Sequence, residues 1–281
     1  MIFAYLLAGL GFLFGLGGYA STSFEHKAAN DIKSELSGPH VRVSVQTRAV
    51  GLNAVAGHLK RVTITASDFS TPGLPLFTES NLPKSGKIDD LRIILSDFSL
   101  KNLHIARLES KIPDCYYDFD LALKKQQIRL SQSGTGEGSV TIKARDLEQF
   151  ILKKYHEIKT VHVALENGNA HVWGYGEFIV IHTNFDVLAS LQAIDGTKLV
   201  LTDATISFDG HQADEMARKV LLDTLNPVVD LDKDLGLYGA ISVTDIQLDK
   251  GEIRAKGVTK IPEDPALQKT SKSSGATTSP P

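Results

Sequence analysis

Residues 160–178 read TVHVALENGNAHVWGYGEF, two apolar-rich segments that meet at Asn167-Gly168. Asn-Gly supplies the positive φ angles that a type I′ turn requires, so this stretch predicts a β-hairpin. Asp195-Gly196 joins VLASLQAI to TKLVLTDATISF in the same way, and Asp249-Lys250-Gly251 joins ISVTDIQL to EIRAKGVTKI through a predicted three-residue turn. The second half of the chain is therefore predicted to be built from antiparallel hairpins.

Strand-like alternation also occurs in the first half of the chain. Apolar and polar residues alternate over residues 41–45, 61–67, 90–100 and 117–123, as they do in half-buried strands. The intervening stretch 71–86 contains three prolines and is predicted to be a loop. The sheet is therefore expected to extend through most of the chain.

Short amphipathic helices are predicted between the strands. An apolar residue at every fourth position from 24 to 36 indicates one helix, and residues 50–59, 146–155 and 211–225 have helical apolar spacing. Asn226-Pro227 ends the last of these helices, because the residue before proline disfavours the helical conformation. Antiparallel strands with a few short helices, and no alternation of strand and helix, define an α+β protein dominated by sheet.

Composition restricts the classes of function. The chain has 281 residues, with 30 Lys and Arg against 33 Asp and Glu, for a formal net charge of −3. Nucleic acid is not an expected partner, because no global positive charge is present to hold it. A single cysteine, Cys115, excludes an intrachain disulfide framework, and no neighbour at metal-ligand spacing accompanies it.

The N-terminal segment, Ile2 to Tyr19, carries no charged side chain. As a helix it would span about 27 Å, close to the thickness of the bilayer hydrocarbon core. Two interpretations remain open, an uncleaved membrane anchor or a signal segment. Gly18 and Ala20 fit a cleavage site before Ser21, but the absence of Lys or Arg ahead of the apolar run favours the anchor.

Catalytic and metal-binding motifs do not emerge from the sequence. Asp230–Asp234 begins like a calcium loop, but Leu235 and Ile241 stand where an EF-hand needs Gly and Glu, so we interpret the run as a solvated turn. Three histidines on neighbouring predicted strands lack a carboxylate or thiol at ligand spacing: His162, His171 and His182. No enzyme, cofactor or metal site is therefore expected.

The order of several segments resembles the bacterial LmeA-like phospholipid-binding family. Within them, Asp146-Leu147-Glu148 opens the middle helix, and Asn226 to Leu231, NPVVDL, precedes a glycine-bounded hairpin. The similar segments are, in order, 43–69, 138–151, 161–178 and 205–257.

This resemblance implies a strongly curved antiparallel sheet wrapped around a few short helices, similar to tubular lipid-binding domains. It also implies a non-enzymatic phospholipid carrier without cofactors, on the extracytoplasmic side of the bacterial envelope, with phospholipid and the membrane as partners. The expected organisation is an anchor or signal segment over 1–20, an amphipathic linker helix over 21–40, a lipid-binding domain over 41–261 and a disordered tail over 262–281.

An acyl-chain site in such a domain is expected to be lined by the apolar stripes of the helices. Such a site needs no polar anchor, because burial of each CH₂ of an acyl chain contributes about 0.8 kcal/mol. Its lining residues therefore have the composition of an ordinary core. The candidate lipid-binding residues are Leu52, Val55, Leu59, Leu147, Phe150, Ile151, Met216, Val220 and Leu221.

Two alternatives belong to other classes of protein. The first is a membrane-anchored scaffold that binds an envelope protein through an exposed sheet edge or the 71–86 loop. Such a scaffold should have a filled interior, whereas a carrier should have an elongated apolar cavity. The second alternative is an envelope hydrolase or transferase, which would need convergent polar residues in a cleft.

Overall fold

The computed structural model describes residues 19–49, 57–72, 81–178 and 181–261. Over these residues it confirms the α+β class, with a strongly curled, mostly antiparallel sheet and short helices. The helices are α1 (Tyr19–Ser34), α2 (Phe119–Lys125), α3 (Ala144–Lys154) and α4 (Glu215–Leu225).

Fifteen strands lie within the described residues. In chain order they are β1 (Arg42–Ala49), β2 (His58–Ser67), β3 (Ser70–Thr71), β4 (Gly86–Leu100), β5 (Leu103–Tyr117), β6 (Leu130–Gln132), β7 (Gly136–Lys143), β8 (Ile158–Glu166), β9 (Asn169–Phe178), β10 (Ile181–Ile194), β11 (Lys198–Phe208), β12 (His211–Gln212), β13 (Val229–Asp230), β14 (Ile241–Asp249) and β15 (Glu252–Thr259).

The strands form two sheets that share one hydrophobic core. The large sheet has the order β1-β2-β4-β5-β7-β15-β14, with β3 on β4 and β6 on β5. The small sheet has the order β12-β11-β10-β9-β8, with β13 on β11. Most neighbouring strands are antiparallel, but β2 and β3 are both parallel to β4.

All three predicted hairpins are present. Asn167-Gly168 and Asp195-Gly196 have positive φ angles at both residues, 51° and 80° in the first and 54° and 69° in the second. The third turn is shorter than predicted, because Asp249 pairs directly with Glu252. Its two central residues, Lys250-Gly251, also have positive φ angles, 53° and 74°.

Each sheet bends at a β-bulge that faces a glycine. In the small sheet the register of β8 shifts between Ile158 and Thr160, and a Cβ on the facing Gly174 would collide with the carbonyl oxygen of Thr160. In the large sheet β14 shifts after Val243, and a Cβ on Gly257 would collide with the backbone there. Glycine therefore permits the close backbone approach that curls both sheets.

Three predicted elements differ from the structure. The predicted helix 211–225 begins only at Glu215, because His211–Gln212 form β12 and Asp214 caps the helix. The segment 117–123 was expected to be a strand, but α2 begins at Phe119, because the Asp118 side chain accepts a hydrogen bond from the Leu121 N–H at 3.0 Å and caps the helix. The predicted helix 50–59 is wrong at its C-terminal end, where Leu59 is buried on β2.

Several other predicted features lie outside the described residues. They are the apolar segment up to residue 18, the first part of the predicted 50–59 helix with Leu52 and Val55, the tip of the 71–86 loop at 73–80, and the tail from residue 262. Among the residues that are described, no helix is both long and apolar enough to span a membrane.

Helix α1, predicted as a linker, packs into the core of the large sheet. Ala28 and Ile32 are 1% and 2% exposed. Asp31 accepts hydrogen bonds from both terminal nitrogens of Arg129, at 2.5 and 3.2 Å, and from the Gln127 amide at 2.7 Å. Helix α1 is thus fixed to the segment before β6 by the bidentate ion pair of Asp31 and Arg129, which has little exposure to water.

Replacing Asp31 by alanine should lower the free energy of unfolding by about 3 kcal/mol, because it removes a largely buried carboxylate that binds the Arg129 guanidinium and the Gln127 amide. Chemical denaturation measures this loss. The matched control is Asp120→Ala, which removes an exposed ion pair to Lys124 and should change the stability by less than about 1 kcal/mol. Equal effects in the two variants would contradict the structural role of Asp31.

Cys115 is fully buried on β5. Burial, with smaller contributions from Asp114 and Asp90, raises the pKa of its thiol to about 12. Since the thiolate is the reactive form, the thiol should react with a disulfide reagent at pH 8 only slowly in the native protein and at once in denaturant. Rapid reaction of the native protein would contradict this burial.

Candidate functional site

An apolar cavity of about 40 Å³ lies between the small sheet and helix α3. Strands β7 and β15 of the large sheet close one side of it, and the segment that follows α4 closes another. Of the described residues that line it, only Tyr155 carries a polar side-chain atom. The lining residues are Ile142, Leu147, Ile151, Tyr155, Ile158, Leu165, Ala170, Val172, Phe185, Leu191, Leu199, Leu201, Leu225, Val228, Val229 and Ile253.

Helix α3 forms one wall of the cavity. Leu147 and Ile151 are buried and line the cavity. They are four residues apart and therefore lie on one side of the helix. On another side the Glu148 carboxylate accepts a hydrogen bond from the Val163 N–H of β8 at 2.8 Å. This bond connects the helix to an edge strand of the small sheet and holds the wall against it.

Tyr155 directs its polar atom out of the cavity and into the backbone of the adjoining segment. Its hydroxyl donates to the carbonyl of Leu225 at 2.8 Å, with the carbonyl of Pro227 at 3.3 Å. Burial, and secondarily the charge of Asp234, raises the pKa of this hydroxyl, so it remains a neutral donor. The ring therefore contributes an apolar surface to the cavity.

Lys154 joins α3 to the loop 226–240, which follows α4. Its ammonium group donates to the carbonyls of Pro227 at 3.0 Å and Val228 at 3.1 Å, and to the Asp234 carboxylate at 2.6 Å. The same carboxylate oxygen also accepts from the Asp230 N–H at 2.9 Å. Three oxygens match the three donors of the ammonium group, so the charge is fully paired at the end of the cavity.

Asn226 fixes the other side of the 226–240 loop to β11. Its side-chain oxygen accepts from the Leu201 N–H at 2.8 Å, and its side-chain nitrogen donates to the Leu201 carbonyl at 3.0 Å. The amide thus satisfies both backbone polar groups of Leu201, which lines the cavity. An apolar residue at 226 would leave those two groups without partners.

The aspartate run after this segment forms a turn, as predicted, but the turn is internally bonded and its first aspartate is not solvated. Asp230 is only 5% exposed, and its carboxylate accepts from the N–H groups of Asp232 and Lys233, both at 3.0 Å. Asp232 in turn accepts from the Gly239 N–H at 3.0 Å. These carboxylates order the 226–240 loop, and no group of metal-ligating side chains occurs within the described residues.

The structure separates the nine candidate lipid-binding residues into five groups. Leu147 and Ile151 line the cavity, while Phe150 and Leu221 are buried outside its lining. Leu59 lies elsewhere, in a cavity of about 20 Å³ beneath α2. The two residues on the solvent side of α4 are Met216 and Val220, and the two outside the described residues are Leu52 and Val55.

Met216 and Val220 lie outside the cavity because of the geometry of α4. At 100° per residue, they lie on the side opposite Leu221 and Leu225, which are buried. Met216 is 79% exposed and Val220 is 61% exposed. Apolar composition alone predicts one stripe for Met216, Val220 and Leu221.

The three histidines of the neighbouring strands form no metal-binding group among the described residues. His162 and His171 instead flank Trp173 on the outer face of the small sheet, with ring centroids 5.5 and 4.6 Å from the indole. His171 also contacts the Asp186 carboxylate at 2.8 Å. These side chains lie on the opposite face of the small sheet from the cavity.

The polar residues that close the cavity were missed by sequence reasoning. The available signal was the segment from Asn226 to Asp234, which we interpreted as a helix stop followed by a turn. Nothing in the sequence connects that segment to Lys154 or Tyr155, which are about 70 positions earlier in the chain.

The family model for LmeA-like phospholipid-binding proteins matches residues 84–258, more than half of the chain. The protein therefore belongs to the LmeA-like phospholipid-binding family, as the sequence resemblance indicated. This is a family of phospholipid-binding domains and not a known enzyme family. Comparisons with curated proteins and with solved structures gave no significant match.

Replacing Lys154 by methionine should lower the free energy of unfolding by about 3 kcal/mol, because Asp234 and two carbonyls lose a charged partner. Thermal and chemical denaturation measure the change, and hydrogen exchange should locate faster exchange in the 226–240 loop. Lys153→Met, at the neighbouring helical position, is the control and should have little effect. Unchanged exchange in the loop of the Lys154 variant would contradict this role.

Proposed function

We propose that the protein is a non-enzymatic phospholipid carrier that holds acyl chains between the small sheet and α3. The observation that carries this proposal is the cavity lining, in which the single polar side chain, Tyr155, turns its hydroxyl away. An acyl chain needs only such a surface, since burial of each CH₂ contributes about 0.8 kcal/mol. Membership of a phospholipid-binding family supports the same ligand.

The size of the cavity adds a requirement to this proposal. A cavity of about 150 Å³ holds a benzene molecule in a protein core. The cavity here, about 40 Å³, is smaller, so an acyl chain enters only if its walls separate. The wall after α4 is held to α3 and β11 by the polar bonds of Lys154, Tyr155 and Asn226, besides the burial of Val228 and Val229.

The cellular setting is part of the proposal. We infer that the uncharged segment from Ile2 to Tyr19 holds the domain at the extracytoplasmic face of the bacterial membrane. The proposed partners are thus a phospholipid and the membrane that supplies it. Catalysis is not part of the proposed role, because the lining places no acid, base or nucleophile beside a bound chain.

A membrane-anchored scaffold that binds an envelope protein is the second candidate function. The small volume of the cavity favours it, because a scaffold needs a filled interior and no opening. The two candidates differ in one measurable property, which is whether phospholipid occupies the protein.

The test is native and lipid mass spectrometry on the purified full chain and on Ala170→Ile. Ala170 is 4% exposed and lines the cavity, so three added methyl or methylene groups would fill the space intended for lipid. We expect phospholipid at near one-to-one ratio in the parent protein and its loss in the variant.

The matched control is Ala66→Ile, the same substitution at a 2% exposed inward position on β2, away from the cavity. Both variants should be less stable by about 1–3 kcal/mol, because both overpack a core. Only the Ala170 variant should lose lipid. A parent protein that stays empty after incubation with liposomes would exclude the carrier and leave the scaffold.

A further inference from the structure

Helix α4 presents an apolar surface to solvent on the side that faces away from the sheet. Met216 and Val220 are the two most exposed large apolar side chains of the described residues, at 79% and 61%. They are four positions apart and therefore adjacent on one helical face. Both belong to an ordered helix whose N-cap, Asp214, accepts a hydrogen bond from the Ala217 N–H at 2.8 Å.

The same helix forms part of the cavity at its other end. Leu225, its last residue, lines the cavity, and Leu221 one turn earlier is buried. Asn226 follows immediately and is bonded to β11. An eleven-residue helix therefore connects an exposed apolar face to the wall that must open for an acyl chain to enter.

The first half of α4 is weakly attached to the sheet. A polar groove separates it from β11, with Arg218 and Lys219 on the helix side and Asp203 and Thr205 on the strand side. Burial of apolar surface begins only at Leu221. Displacing this half of the helix consequently breaks few apolar contacts.

We infer that the face of α4 formed by Met216 and Val220 inserts into the surface of a phospholipid bilayer, and that lipid enters the cavity beside this helix. The inference rests on the proposed carrier function and identifies the surface through which the carrier loads. A short helix with a narrow apolar face can lie in the interface, with Lys and Arg side chains extending to the headgroups.

The charge of the helix indicates how such a contact would behave. Glu215 and Asp223 balance Arg218 and Lys219, so α4 itself carries no net charge between its caps. Attraction to anionic lipid is therefore a minor contribution, and apolar insertion is the main one. Binding should depend little on salt and little on the fraction of anionic lipid.

A bilayer fits this face better than a second copy of the chain does. A stable protein dimer buries about 1,200–2,000 Å² in total, far more than two side chains on a short charged helix provide. Shallow insertion into a bilayer needs no such area. The uncharged segment from Ile2 to Tyr19 would in addition keep the protein at the membrane and raise the effective concentration of this weak contact.

The experiment places an environment-sensitive fluorophore on single cysteines in the full chain, in the variants Met216→Cys, Val220→Cys and Leu188→Cys. Leu188 is the control, because it is a 46% exposed apolar residue on the outer face of the small sheet, opposite the cavity. Cys115 is buried, and the parent chain treated with the same reagent is the blank. Protection from an aqueous quencher is measured with and without phosphatidylcholine vesicles.

We expect vesicles to protect the labels at 216 and 220 and to leave the label at 188 accessible. Vesicles that contain phosphatidylglycerol should give the same result. Protection that rises with protein concentration in the absence of vesicles would show a second copy on this face and would overturn the inference. Labels at 216 and 220 that remain accessible when vesicles are present would overturn it as well.

A second measurement separates this inference from the carrier function itself. The double variant Met216→Glu and Val220→Glu should take lipid from vesicles about tenfold more slowly, because two charges replace the inserting side chains, while it still holds lipid supplied in detergent. An unchanged rate would overturn the docking surface and leave the carrier intact. A parent chain that binds no lipid from either source would instead remove the carrier function.

Discussion

A sheet that is apolar on one face is stable in water only if that face is covered, and the small sheet is covered by parts of several different elements. Five of its strands run side by side, and their inward side chains need a layer of comparable area above them. That layer consists of α3, the end of α4 with its following residues, and two strands of the large sheet. The cavity is the space that this incomplete layer leaves unfilled.

The cover is held at its edges by polar groups and filled at its centre by apolar ones. Lys154, Tyr155 and Asn226 bond to backbone groups around the rim, and their polar atoms point away from the cavity. A polar bond that is broken at the rim can be replaced by water, whereas a polar group at the centre would lose its partner. For the proposed carrier, this distribution favours opening at the rim.

Sequence patterns predicted the elements whose signals are local. The Asn167-Gly168 and Asp195-Gly196 turns require only two adjacent residues with positive φ, and helix α3 requires only a spacing of three and four. The same local reasoning misplaced Met216 and Val220, because apolar composition identifies a helix but not the side that faces the core. The residue types of an exposed apolar pair and of a buried apolar pair are the same, so the sequence does not distinguish them.

The polar bonds that close the cavity could not be predicted from local sequence patterns. A lysine near a helix end usually extends into water, and nothing around Lys154 in the sequence indicates otherwise. Its role depends on three oxygens contributed by residues 227, 228 and 234, which only the fold brings to it. The aspartate run resembles a calcium loop because its aspartates alternate along the chain, but in the fold Asp234 binds the ammonium of Lys154.

The small volume of the cavity links the carrier proposal to the surface of α4. A cavity of about 40 Å³ has to open before an acyl chain can enter it. In the proposed function, contact with the membrane favours the open state, because the membrane is where the lipid is. Insertion of Met216 and Val220 into a bilayer would supply the free energy of opening. It would act on α4, whose C-terminal end forms the cavity wall that is proposed to move. Closed in water and open at a membrane, such a domain would keep its apolar interior covered whenever it carries no lipid.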